Sequence, residues 1–189
     1  FVQHNQTNME QNVIQKNIGT PVGKYGLVVG IISSVYLFVT QWMVMAQMPA
    51  ILTMLLNMFL WVLKSGSCLL IMFAFLKRFS EEHPHAKRSV VFQAGMVLAI
   101  LSALVYSGFS FAYTAYFYPE YIAEQIETVM QQFAPFIDSN TTAAMEKSMP
   151  NFPQMTFFSN LIYCFGYGTI LSYIISRYIP SNDPSIKHE

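Results

Sequence analysis

The run AILTMLLNMFLWVLKSGSCLLIMFAFL, Ala50 to Leu76, decides the fold of this chain: apart from Lys64 it carries no charge. A bilayer core about 30 Å thick needs roughly 20 apolar residues of helix, and this run supplies more. Three other stretches meet the same requirement: Tyr25 to Met45, Val90 to Tyr116 and Phe157 to Ile179. The reading is therefore an all-α membrane protein with four transmembrane helices. The second and third spans are long enough to tilt or to project beyond the hydrocarbon. Pro49 opens the second and Pro180 closes the fourth, where helix-boundary prolines belong.

Composition agrees. The 189 residues are 53% hydrophobic and 11% charged, against about 25% charged in an ordinary soluble domain. Ten basic residues balance ten acidic ones, so no excess charge points to nucleic acid as a partner. The two cysteines, Cys68 and Cys164, fall inside apolar runs and are expected at different depths, as packing residues rather than a disulfide. The first 24 residues, rich in Asn and Gln, have no apolar core and so do not look like a signal peptide. No Met stands at position 1, and residues upstream of Phe1 are expected.

The distribution of the charges sets a direction. Lys77, Arg78, Lys87 and Arg88 crowd the connection between spans two and three, Lys16 and Lys24 precede span one, and Arg177 and Lys187 end the chain. By the positive-inside rule these are cytoplasmic, which gives an N-in, C-in topology. Residues 1–24 become a polar cytoplasmic segment, 25–180 the transmembrane domain and 181–189 a cytoplasmic tail. The exterior insert, 117–156, has one basic residue, Lys147, against Glu120, Glu124, Glu127, Asp138 and Glu146. Within it PEYIAEQIETVMQQFAP places Ile122, Ile126, Val129, Met130 and Phe133 on one helical face. An amphipathic exterior helix follows, lying on the membrane boundary or capping the spans. Phe109, Phe111, Tyr113, Tyr116, Phe117, Tyr118 and Tyr121 read as an outer aromatic belt.

Lys64 is the residue that needs a reason. It lies about 18 Å or more from either end of its run at 1.5 Å per residue, and a cation at that depth is costly. All ten Asp and Glu lie outside the four spans. Three outcomes stay open: the side chain snorkels to the headgroups, it is neutral, or its partner is a carboxylate or phosphate of another molecule. Asn57, Trp61, Lys64 and Cys68 recur at helical spacing, a partly polar stripe expected to face protein.

Small residues mark expected packing seams. Gly26, Gly30 and Ser34 in span one, and Gly95, Ala99, Ala103 and Ser107 in span three, repeat every four residues and let backbones approach closely. They are expected to pack spans one and three together or to join two copies. CFGYGT, residues 164–169, resembles a potassium-filter sequence, but a filter needs a pore helix before it and a span after it. Gly166 and Gly168 are read instead as a packing or bend site. His83 and His85 with Glu81 and Glu82 lack the second ligand cluster of a metal site, so neither metal nor cofactor is expected.

The aromatic run FSFAYTAYFYPEYIAEQIE, the small-residue third span before it and the basic end of the last span resemble the bacterial membrane-protein family known as domain of unknown function 4199. The resemblance covers roughly residues 20 to 180. It implies a four-helix protein of the inner membrane of Gram-negative bacteria, with no catalytic residues to carry over, and it implies a polyprenyl-phosphate glycosyltransferase as a partner. In the residues themselves there is no HExxH, GxSxG, Walker or Rossmann pattern and no paired intramembrane acid.

The functional expectation is thus a non-enzymatic accessory or scaffold subunit that binds another membrane protein, or itself, through the Lys64 stripe. The alternative is a protein binding a phospholipid or isoprenoid phosphate through Lys64 with Lys77, Arg78, Lys87 and Arg88. A small oligomeric channel or transporter ranks third, with four spans and no visible inverted repeat.

Overall fold

The computed structural model describes residues 19–46, 48–84, 86–117, 119–133 and 139–179. Among them there is no strand. Helix α1 is Gly19–Met45, α2 is Ala50–Glu82, and α3 is Arg88–Ala112, continued by a π-helical turn Tyr113–Phe117. Then come α4, Pro119–Phe133, and α5, Ser139–Ser148, followed by a 3₁₀ turn Met149–Asn151 and α6, Phe152–Tyr178. Helices α1, α2, α3 with its π turn, and α6 are each long and apolar enough to cross a membrane. The chain is a multi-pass helical membrane protein.

The helix ends differ from the sequence expectation for local reasons. Helix α2 runs past Leu76 to Glu82, so Lys77 and Arg78 stand on the helix and not in the loop. Arg78 Nε donates to Glu82 at 2.8 Å, and Lys77 lies 3.9 Å from Glu81; such i,i+4 pairs favour the helix by a few tenths of a kcal/mol each. The His83 N–H then closes the end on the Phe79 carbonyl. Helix α6 starts at Phe152 because Pro153 sits in its first turn, where the missing N–H costs nothing. Helix α5 has no signal in the sequence, since SNTTAAMEKS has no apolar stripe.

Helix α3 is the centre of the bundle, packed most extensively on α6 and then on α1. The seams are made by glycines, because in lipid the drive between helices is close contact, not escape from water. A Cβ at Gly30 would stand 2.6 Å from Val105 Cβ, and one at Gly168 2.6 Å from Ala99 Cβ. Gly26 meets Leu101 and Leu98 in the same way, and Gly95 meets Ser172. The two small-residue ridges therefore do not face each other. The α1 ridge seats on α3 beside Leu101 and Val105, while Gly95 and Ala99 of the α3 ridge face α6, with Ala103 and Ser107 fully buried along the same line. Two hydrogen bonds hold the α3–α6 seam: Ser172 Oγ donates to the Phe92 carbonyl at 3.0 Å and Asn160 Nδ2 to Ser110 Oγ at 2.9 Å. Gly166 is a correction, because a Cβ there would meet nothing within 4 Å.

The apolar core lies toward the loop between α2 and α3. Met72, Phe75, Leu76 and Phe79 of α2 pack there with Val90, Val91, Ala94 and Leu98 of α3, Val22 and Val29 of α1, and Ile175 of α6. The first half of α2 is different, with Ile51, Met54, Leu55, Met58 and Phe59 all exposed. Contact between α2 and α6 is sparse. The bundle thus has its apolar core toward its basic end and is open between α2 and α6 nearer mid-span. Tyr113, expected in the aromatic belt, is buried instead, edge-on to Phe38 at 5.8 Å.

Candidate functional site: the Lys64 cavity

The stripe on α2 meets α1 turn by turn. Ser33 and Tyr36 lie about one turn apart on α1; Cys68 of α2 meets Ser33, and Lys64 and Asn57 both meet Tyr36. Ser33 Oγ and Cys68 Sγ are 3.7 Å apart. The Tyr36 hydroxyl donates to Asn57 Oδ1 at 3.1 Å. Between these contacts Lys64 Nζ stands 4.8 Å from the Tyr36 ring centroid and 4.7 Å from that of Tyr106 on α3.

This arrangement gives Lys64 a surrounding that none of the three expected outcomes included. The faces of two tyrosine rings carry negative quadrupole density, and each cation–π contact within about 6 Å is worth roughly 0.5–2 kcal/mol, rising as water is removed. The ammonium is thereby held at depth without a carboxylate of its own chain. Neither ring was singled out in the sequence. A signal existed, since tyrosine favours the membrane–water interface and Tyr36 and Tyr106 stand mid-span, where a phenol needs a partner.

Beside this clamp is a cavity of about 110 Å³ whose walls include Lys64, Ser33, Cys68, Ser102 and Cys164. Its mouth lies in the gap between α2 and α6, where Trp61, Tyr163 and Tyr167 are 55%, 67% and 44% exposed. The two cysteines line the same cavity, which corrects the expectation of different depths. They stand equally far from the ends of their helices, 68 against 82 and 164 against 178. Helix α2 continues six residues beyond Leu76, to Glu82, which brings Cys68 to the depth of Cys164. Trp61 departs from a stripe facing protein, being 55% exposed, whereas Asn57, though exposed, meets α1 through the hydrogen bond it accepts from Tyr36.

The loop cations do not join Lys64. Arg78 is fourteen residues further along one continuous helix, about 21 Å at 1.5 Å per residue, so one phosphate cannot touch both. Lys77 and Arg78 pair with Glu81 and Glu82, while Lys87 and Arg88 belong to the start of α3. Among the described residues no three His, Cys, Asp or Glu converge as metal ligands. His85, half of the EEHPH pair, lies outside the described residues, and His83 lies 4.7 Å from the Phe79 ring.

What the site offers chemically is one fixed cation, several hydroxyls and thiols, and aromatic walls open to the bilayer. A family model described as "Protein of unknown function (DUF4199)" matches residues 24–178. No curated protein and no solved structure matches the chain.

Proposed function

The chain belongs to the DUF4199 family, and from its own geometry we propose that it binds a phosphate-bearing amphiphile within the membrane, with Lys64 as the headgroup ligand. One observation carries the reading. Lys64 stands in a mid-span cavity whose lining holds no carboxylate, and the acidic residues of its own helix, Glu81 and Glu82, come only at the helix end, seventeen and eighteen residues away. The tyrosine rings hold the charge in place without neutralising it, so the cavity keeps an attraction for an anion. At about 30 Å³ for each water of liquid volume, the space suits a phosphate-sized group, with the lipid chains left in the bilayer through the α2–α6 gap. Phospholipid and isoprenoid phosphates share this chemistry. The role is binding, with no reaction of the protein's own.

In this reading the protein is a multi-pass protein of a bacterial inner membrane. The basic loop and both termini are cytoplasmic, and α4 rests its apolar face on the outer boundary. The exposed apolar side chains of Ile51, Met54, Leu55, Met58 and Phe59 support a second reading, in which the open half of α2 docks on another membrane protein. A polyprenyl-phosphate glycosyltransferase belongs to that reading as the accessory subunit's partner.

Purification in a mild detergent, with mass spectrometry of retained lipids and proteins, separates the two. A phosphorylated lipid held by the wild type and lost in Lys64→Met is the expected result. Loss of a co-purifying protein instead establishes the subunit reading. Identical lipid and protein profiles for both chains would sink the role given to Lys64.

A further inference from the structure

A second pocket, remote from Lys64, lies at the basic end of the bundle. It has a volume of about 350 Å³ and opens between the start of α1 and the end of α2. Lys24, Tyr25, Arg78 and Glu82 form its polar wall, and the buried rings of Phe75 and Phe79 form its floor. Tyr25 and Phe75 are packed with ring centroids 5.1 Å apart, which fixes α1 against α2 at this level.

We infer that this pocket is a binding site for the phosphate of an anionic phospholipid headgroup. The charge balance is the first argument. Two cations and one carboxylate leave one net positive charge, which a single phosphodiester neutralises. A zwitterionic headgroup would bring its own cation and leave that charge uncompensated.

Donor geometry is the second. Glu82 engages Arg78 through Nε, and Tyr25 is a second hydrogen-bond partner of the same guanidinium. A guanidinium has five N–H donors, so two partners leave donors for a phosphate, which Arg recognises with a planar fork. The Arg78–Glu82 pair is solvent-exposed, with side chains 68% and 51% accessible, and exposed pairs of this kind are weak competitors. Among the described residues Lys24 has no carboxylate partner.

Location is the third. Basic pockets between membrane helices at the headgroup level are where anionic lipid is recognised. The aromatic floor suits the glycerol and the first methylenes of the chains. This inference does not rest on the Lys64 reading, since the two places are separated by four turns of α2.

The test uses the full chain in mild detergent with short-chain phosphatidylglycerol and phosphatidylcholine as probes, bound lipid being counted by native mass spectrometry. Phosphatidylglycerol is expected to be preferred. The double substitution Lys24→Gln with Arg78→Gln should weaken its binding about 25-fold, at roughly fivefold for each cation removed at a membrane surface. Glu82→Gln removes the competing carboxylate and should strengthen binding, which keeps the test decisive even if the double variant fails to fold. In a Lys64→Met background, which removes any lipid counted at the mid-span cavity, the Lys24→Gln with Arg78→Gln loss should keep the same size. Equal retention of phosphatidylcholine, full displacement by the same concentration of inorganic phosphate, or no response to Glu82→Gln would each overturn the assignment.

Discussion

If the tyrosine clamp is what lets Lys64 stand at mid-span, removing one ring must be felt through the lysine and not independently of it. The rings of Tyr36 and Tyr106 are 4.8 and 4.7 Å from Nζ, and for a half-buried cation each should contribute about 1–1.5 kcal/mol. Together they supply about 2–3 kcal/mol, close to the roughly 2.5–3.5 kcal/mol that insertion scales assign to a lysine at the centre of a membrane helix. Lys64→Met therefore removes a gain and a cost of similar size, and its net effect on stability should be small. A single substitution cannot report the clamp, whereas a double-mutant cycle can. Tyr106 is the better arm, because Tyr36 also bonds Asn57. Combining Lys64→Met with Tyr106→Leu should reveal a coupling of about 1–1.5 kcal/mol, read from equilibrium unfolding by SDS in mixed micelles and followed by circular dichroism. Tyr106→Phe keeps the ring and should keep most of the coupling. A coupling below about 0.3 kcal/mol, within the scatter of independent sites, or a phenylalanine variant as damaged as the leucine one, would refute the reasoning.

Two further outcomes follow from the packing. Gly168→Ala places a methyl 2.6 Å from Ala99 Cβ and should destabilise by about 1–3 kcal/mol through overpacking, whereas Gly166→Ala enters open space and should stabilise the helix by about 0.5–1 kcal/mol; thermal unfolding in detergent compares them, and equal effects would show that α3 and α6 do not approach as described. Cys68 and Cys164 line one cavity, so a lipid-soluble maleimide should modify both, and a short-chain phosphorylated lipid that occupies the Lys64 site should slow both together. Slowing of one cysteine alone would mean that they do not share the space.

Much of the fold was legible because it depends on segment length. Ala50 to Leu76 is too long and too apolar to do anything except cross a bilayer, and the same holds for the three runs like it. The candidate site was legible in part. Lys64 stands out as a lone charge, and the spacing of Asn57, Lys64 and Cys68 defines a face of α2. What was missed is what that face meets. Tyr36 and Tyr106 lie 28 and 42 residues from Lys64 in the sequence, and no periodicity along α2 names them.

The sequence by itself determined the number of spans, their approximate bounds and the isolation of Lys64 from any carboxylate. These follow from composition and from the rise of a helix, both local properties. Only the tertiary structure decided how each span is rotated and which neighbours it meets. That choice is what puts two cysteines into one cavity, sends the α1 and α3 ridges to different partners, and leaves Gly166 idle beside a tightly packed Gly168. The physical reason is that lipid is as apolar as the helix interfaces it borders. Hydrophobic patterning, which fixes the inward face of a soluble helix, is nearly silent here, and the orientation is settled by steric fit at small residues and a few polar contacts between helices.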